Sequence, residues 1–138
     1  MDQSSSHIII FDKENKVLVV KRSPDDEWGA GLWAIPGGKR ESGESLLQNV
    51  QRETFEEVGL TLFPDKIKFM DNLSKKMNHC FFTTRYSEGE VKLGDGEHDE
   101  FKWIKLEELD IEQSVPNLHE EIVEAQRIMY GCIAIKIG

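Results

Sequence analysis

Three glutamates, Glu53, Glu56 and Glu57, fall within five residues of one another, and a fourth, Glu44, stands a short way upstream. If residues 44 to 58 form a helix, Leu47, Val50, Thr54 and Val58 recur at helical spacing and make a stripe that must face a core. At about 100° per residue, Glu53 and Glu57 then border that stripe, Glu56 lies further round, and Arg52 sits one turn behind Glu56. This placement is costly. Glu53 and Glu57 repel at i, i+4. Partial burial disfavours each charge, and acids near a helix C-terminus oppose its dipole. One arginine cannot neutralise so many carboxylates. A hard divalent cation can: Mg²⁺ takes oxygen ligands from a few carboxylates together with substrate phosphates. A solvated acidic face is the ordinary reading of a Glu-Glu pair, but it does not explain acids set beside an apolar stripe. Glu53, Glu56 and Glu57 are therefore the expected metal ligands. Glu44 is a further one, acting through water or by holding Arg52, and Arg52 orients a carboxylate with Glu56 as its i, i+4 partner.

The elements that must hold these acids are a helix and the loop before it. Ser42 is the expected N-cap, and Gly59 stands where a helix ends in a left-handed residue. Loop 36–43 carries Gly37, Gly38 and Gly43. Glycine lets main chain approach a ligand closely, so the loop is read as a frame for the metal and its substrate, with Gly37 and Gly38 against the ligand.

From Gly38 to Leu60 the chain resembles the signature of the Nudix hydrolases, G-x5-E-x7-R-E-U-x-E-E-x-G-U, where U is bulky and aliphatic. Gly38, Glu44, Arg52, Glu53, Glu56, Glu57, Gly59 and Leu60 stand at matching positions, and Thr54 departs at the first U. The resemblance implies a MutT-like α/β/α sandwich around a mixed β-sheet, with loop and helix as one rigid catalytic unit. It implies a Mg²⁺-dependent pyrophosphohydrolase, with Mn²⁺ as a substitute. Its substrate is a nucleoside diphosphate linked to another group, and its products are a nucleoside monophosphate and a second phosphorylated product. It also implies a general base, either on the helix or in a later loop. Branch markers for ADP-ribose and dinucleoside polyphosphate hydrolases are missing from residues 74–78, and the coenzyme A pattern is missing ahead of the helix. A nucleoside triphosphate is thus the favoured substrate. A nucleotide sugar, and a nucleotide-binding regulator without turnover, are the alternatives. Members of this family often dimerise, and nothing in the sequence locates an interface.

The remaining sequence agrees with such a domain. With 138 residues, the chain suits one domain spanning 1–138, with 1–6 a loose tail. A net charge of -9 argues against a nucleic-acid polymer as partner. No apolar run approaches the roughly 20 residues of a membrane span, and the first residues lack the features of a signal peptide. Cys80 and Cys132 form no disulfide or zinc pattern, so a cytoplasmic setting is the simplest. Strands are expected at His7–Phe11 and Val17–Lys21, as a hairpin or adjacent pair, and at Leu32–Ile35, Ile67–Leu73, His79–Tyr86 and Phe101–Ile104. A short helical turn is expected at Lys105–Leu109 and a second helix at Asn117–Tyr130. The fold class is α+β, a mixed α/β arrangement with a sheet between helices. The apolar run 132–138 has no readable role.

In the chemistry this implies, a carboxylate takes the proton of an attacking water. Glu97 and Glu100, in the acidic turn before the last strand, are the later-loop candidates for that base, and Glu97 is preferred because it lies in the turn. For substrate binding, Arg22 could meet a phosphate, and Trp28, Trp33 and Phe82 could stack on a base. Trp33 and Phe82 lie in strands and read equally well as core. The four histidines share no ligand spacing.

Overall fold

The run Ile8, Ile9 and Ile10 is buried at 0% exposure throughout, and so is Val17–Val20. Strands covered on both faces read as unbroken apolar runs rather than as alternation. The computed structural model describes residues 4–71, 79–94 and 96–131. In chain order its strands and helices are β1 (Ser5–Ile10), β2 (Val17–Arg22), β3 (Trp33–Ala34), β4 (Gly37–Lys39), α1 (Leu46–Val58), β5 (Thr61–Leu62), β6 (Lys68–Phe69), β7 (His79–Thr84), β8 (Ser87–Glu88), β9 (His98–Ile104) and α2 (Leu118–Tyr130). A mixed sheet has the order β4-β1-β7-β6, with β1 and β7 parallel, and an antiparallel sheet has the order β3-β2-β9.

The two central strands divide their side chains between two helices. Ile8, Ile10, Leu18 and Val20 pack with Val50 and Val58 of α1, whereas Ile9, Phe11, Val17 and Val19 pack with Leu118, Ile122 and Ala125 of α2. The period-two alternation of a strand thus feeds two cores, one under each helix. This is the expected α+β layering, with sheet between helices.

Several boundaries differ from those read in the sequence. β1 and β2 do not form a hairpin. They share one antiparallel bridge, Phe11 with Val17, and then join different sheets. Ser5 and Ser6 belong to β1 and are buried rather than lying in a loose tail. They are polar, but each hydroxyl finds a side-chain partner. Gly37–Lys39 is a strand, not loop, because its main chain pairs with Ser5–His7. Helix α1 starts later than expected. Ser45, not Ser42, is its N-cap, in a capping box with Gln48. Gly59 closes the helix in the left-handed conformation with φ 76°, as expected. The end of the strand expected at Ile67–Leu73, positions 74–78 and the run 132–138 lie outside the described residues.

Candidate functional site

The site begins where β4 meets α1. Gly38 lies so close to Glu53 that a Cβ there would stand 2.5 Å from the Glu53 carboxyl carbon. At Gly37 a Cβ would meet the Ser6 carbonyl oxygen and the His7 ring, and the Gly37 amide donates to Glu57 Oε1 at 3.2 Å. Two glycines are therefore needed to bring β4 onto the carboxylates. Glu57 is buried at 4% exposure. Burial pushes the Glu53 carboxyl above the usual carboxylate range, against the pull of Arg52, and Glu53 and Glu57 are joined by a hydrogen bond. Two neighbouring carboxyls, Glu57 buried and Glu53 partly so, are a donor set suited to a hard cation.

Arg52 is the hub of the charges around that pair. Its Nε and Nη2 grip Glu44 at 2.6 and 3.1 Å, and Nη1 reaches Glu56 at 3.0 Å and Glu53 at 3.2 Å. The hydrogen bond from Arg52 holds the Glu44 carboxyl below its usual range, and in return the Glu44 carboxylate raises Arg52 further. Asn49, fully buried on the same helix, donates to Gly38 O at 2.9 Å and Ser6 Oγ at 2.5 Å and accepts from Arg52 at 3.1 Å.

Glu53, Glu57, Gly37 and Gly38 form one wall of a cleft of about 1160 Å³. The cleft continues across the α2 face of the mixed sheet, over His7, His79 and Phe81, and beneath Glu120 and Glu121 of α2. Ser5 Oγ lies 3.1 Å from His7 Nε2 and 2.7 Å from His79 Nδ1. Burial, aided by His79 and Arg22, lowers the His7 pKa to about 4, so this floor is uncharged there at neutral pH. Glu97, His98, Arg22 and Trp28 also line the cleft.

The NUDIX domain profile matches residues 1–126 of the chain. The chain belongs to the Nudix family. It is 31% identical over 101 residues to an 8-oxo-dGTP diphosphatase of Buchnera aphidicola subsp. Schizaphis graminum, covering 72% of this chain and 75% of that protein. It is 40% identical over 63 residues to an 8-oxo-dGTP diphosphatase of Proteus vulgaris, a match spanning 55% of that protein. Among solved structures, a MutT protein from Methanosarcina mazei Go1 superposes with a TM-score of 0.75 at 30% identity, covering 93% of this chain and 95% of that one. Membership makes the chain a hydrolase of phosphorus-containing acid anhydrides.

Within the Nudix signature the acids do not share one role. Glu53 and Glu57 line the cleft together. Glu56, whose side chain is 54% exposed, turns outward to Arg52, and Glu44 is also held by Arg52. Among the described residues no three His, Cys, Asp or Glu side chains converge to hold an ion unaided. Arg52 pairs with Glu44, Glu53 and Glu56 alike, and of these Glu53 also lines the cleft with Glu57. Glu97 lines the cleft as expected, whereas Glu100 reaches Lys21 at 3.5 Å.

The substrate-binding expectations also divide. Phe82 is a core residue, 7% exposed and packed on the α1 side, because the strand alternation turns its neighbour Phe81 to the cleft instead. Trp33 is core too, with Lys102 Nζ 4.4 Å from its ring centroid. Trp28 is 58% exposed and faces the cleft. Arg22 holds the Trp28 loop. It donates to Trp28 O at 2.7 Å, pairs with Asp26 at 2.7 Å and lies 5.2 Å from the Trp28 ring centroid. Asn49, Ser5, His7, His79 and Glu121 were missed. Parallel pairing of β1 with β7 aligns Ser5 with His79 and His7 with Phe81, positions more than seventy apart in the chain. No local spacing could reveal that. Asn49 offered one signal, a polar residue beside the apolar stripe of a helix.

Proposed function

We propose that the chain hydrolyses nucleoside triphosphates between phosphates, with Mg²⁺ as the cofactor and Mn²⁺ as a substitute. The observation that carries this reading is the Glu53–Glu57 carboxyl pair, Glu57 buried and Glu53 partly so, on a fixed loop–helix unit at the wall of a large cleft. Glu53 and Glu57 would hold the cation, with substrate phosphates completing its oxygen shell and Glu56 close by on the same helix. When bound, Mg²⁺ neutralises the phosphates and draws charge from the phosphoryl oxygens. The polyphosphate lies at the α1 end. The other end has the acids of α2, which repel phosphate, and apolar Phe81 suits a flat neutral ring. Trp28 offers a second aromatic surface at the side.

Glu97 is the proposed general base. Water oxygen bonds to a phosphorus, its proton passes to the Glu97 carboxylate, and the bridging P–O bond breaks. The nucleoside monophosphate and inorganic diphosphate leave. Arg52 keeps Glu53 and Glu56 in place.

Purified protein incubated with a panel of nucleotides and Mg²⁺ or Mn²⁺ tests the reading through phosphate products. Glu57→Gln is expected to lower turnover at least about a hundredfold while far-UV circular dichroism is unchanged. Full turnover in that variant, or none by the native chain on any nucleotide, overturns the proposal. A nucleotide sugar cleaved faster than every triphosphate would replace the substrate class.

A further inference from the structure

Asn49 sits in the first turn of α1 at 0% exposure. Alanine or leucine would propagate the helix better there, and a buried amide costs stability unless its groups are met. Here they are met from two strands and from the next turn of the same helix. Nδ2 donates to Ser6 Oγ on β1 and to Gly38 O on β4, and Oδ1 accepts from the Arg52 guanidinium. The amide's orientation is dictated by its partners, since a carbonyl only accepts and a guanidinium only donates. Those partners are also the two neighbours of Glu53. The Gly38 main chain stands against the carboxyl, where even a methyl would collide, and Arg52 Nη1 approaches it at 3.2 Å.

We infer that Asn49 is a positioning residue: one buried amide fixes both the Gly38 main chain and the Arg52 guanidinium, and so sets the slot in which the Glu53 carboxylate stands. What that slot is for rests on the hydrolase proposed above. Asn49 touches no substrate. It acts through the spacing between β4 and α1, which Glu57 and Arg52 also hold through Gly37 and Lys39.

The test compares Asn49→Leu, close in volume and a good helix former, with Ser6→Ala, which removes only the β1 partner. Binding of Mn²⁺ without nucleotide is read by electron paramagnetic resonance. Turnover is resolved into kcat and KM well below each Tm. Asn49→Leu is expected to weaken Mn²⁺ and to lower kcat by ten- to a hundredfold, roughly the effect of removing an outer partner of a metal ligand, with KM for nucleotide nearly unchanged. Ser6→Ala is expected to change both by less than about threefold, since Gly38 and Arg52 stay anchored. A lower Tm in Asn49→Leu with native Mn²⁺ affinity and native kcat overturns the inference, as does a loss in Ser6→Ala equal to that in Asn49→Leu. Should Asn49→Leu not fold, Asn49→Ser decides by the same readouts. Native protein that binds Mn²⁺ but cleaves no nucleotide would sink the hydrolase reading alone, because the metal-binding comparison would still stand.

Discussion

Thr54 sits where the Nudix signature has an aliphatic residue, and the structure shows the cost of that departure. Its hydroxyl oxygen is buried with no hydrogen-bond partner among the described residues, on a side chain with 0% exposure. Valine has the same shape without the oxygen. Thr54→Val should therefore raise stability by about 1 kcal/mol, the usual penalty of an unmet buried polar group. Urea denaturation measures it, and a lower midpoint would show that the hydroxyl is satisfied in solution. At this scale the sequence was informative where type and spacing coincide. Glu53, Glu57, Gly37 and Gly38 were legible because each constraint is local to one loop and one helix. Phe82 was misplaced because strand alternation cannot say which of two buried faces carries the cleft. The partner choices of Arg52 were legible in part: Glu56 is one turn away, whereas Glu44 arrives through the loop.

Helix α1 and the strand before it behave as one element, fastened at both ends. Ser45 Oγ accepts from the Gln48 backbone N–H at 3.0 Å, and Gln48 Oε1 accepts from the Ser45 backbone N–H at 2.8 Å. Ser45→Ala should destabilise the protein by about 1 kcal/mol, as lost N-caps do, with a lower urea midpoint and turnover per folded molecule almost unaffected. Gly38→Ala should do the reverse. Its methyl would enter the space of the Glu53 carboxyl, so kcat is expected to fall by about a hundredfold for a misplaced group, with a smaller loss of Tm. Native kcat in Gly38→Ala would mean that Glu53 has room to move without consequence. The true helix start was missed because Ser42 and Ser45 both suit a cap, and only Ser45 has Gln three residues on. Strand β4 was missed because two consecutive glycines read as a turn, while their main chain was free to pair with β1. The parallel β1–β7 pairing, which builds the cleft floor, joins segments too distant for any local pattern.

Across the whole molecule, helix α2 and strand β1 place opposite titration behaviour around the cleft. Burial, and then Glu120, raise the Glu121 pKa from 4.5 to about 7. The folded state therefore binds more protons than the unfolded one between those values. The stabilisation from Glu121 is complete below the unfolded pKa and is lost as pH rises through about 7. His7, held at about 4 instead of 6.5, has the opposite slope: the folded state resists the proton, and stability falls as pH drops below the unfolded value. The two slopes oppose each other in mildly acidic solution, and Glu53 adds to the loss at higher pH in the same sense as Glu121. Glu121→Gln removes one of these slopes and leaves the others, so the difference between variant and native protein isolates it. The variant should be the more stable by about 1–2 kcal/mol near pH 8, a figure reduced for solvent screening of a partly exposed group, and should lose that advantage near pH 5. Thermal unfolding at the two pH values measures this. A constant offset between the proteins at both values would mean that Glu121 titrates like an ordinary surface carboxyl, and that the α2 end of the cleft is wetter than its burial indicates.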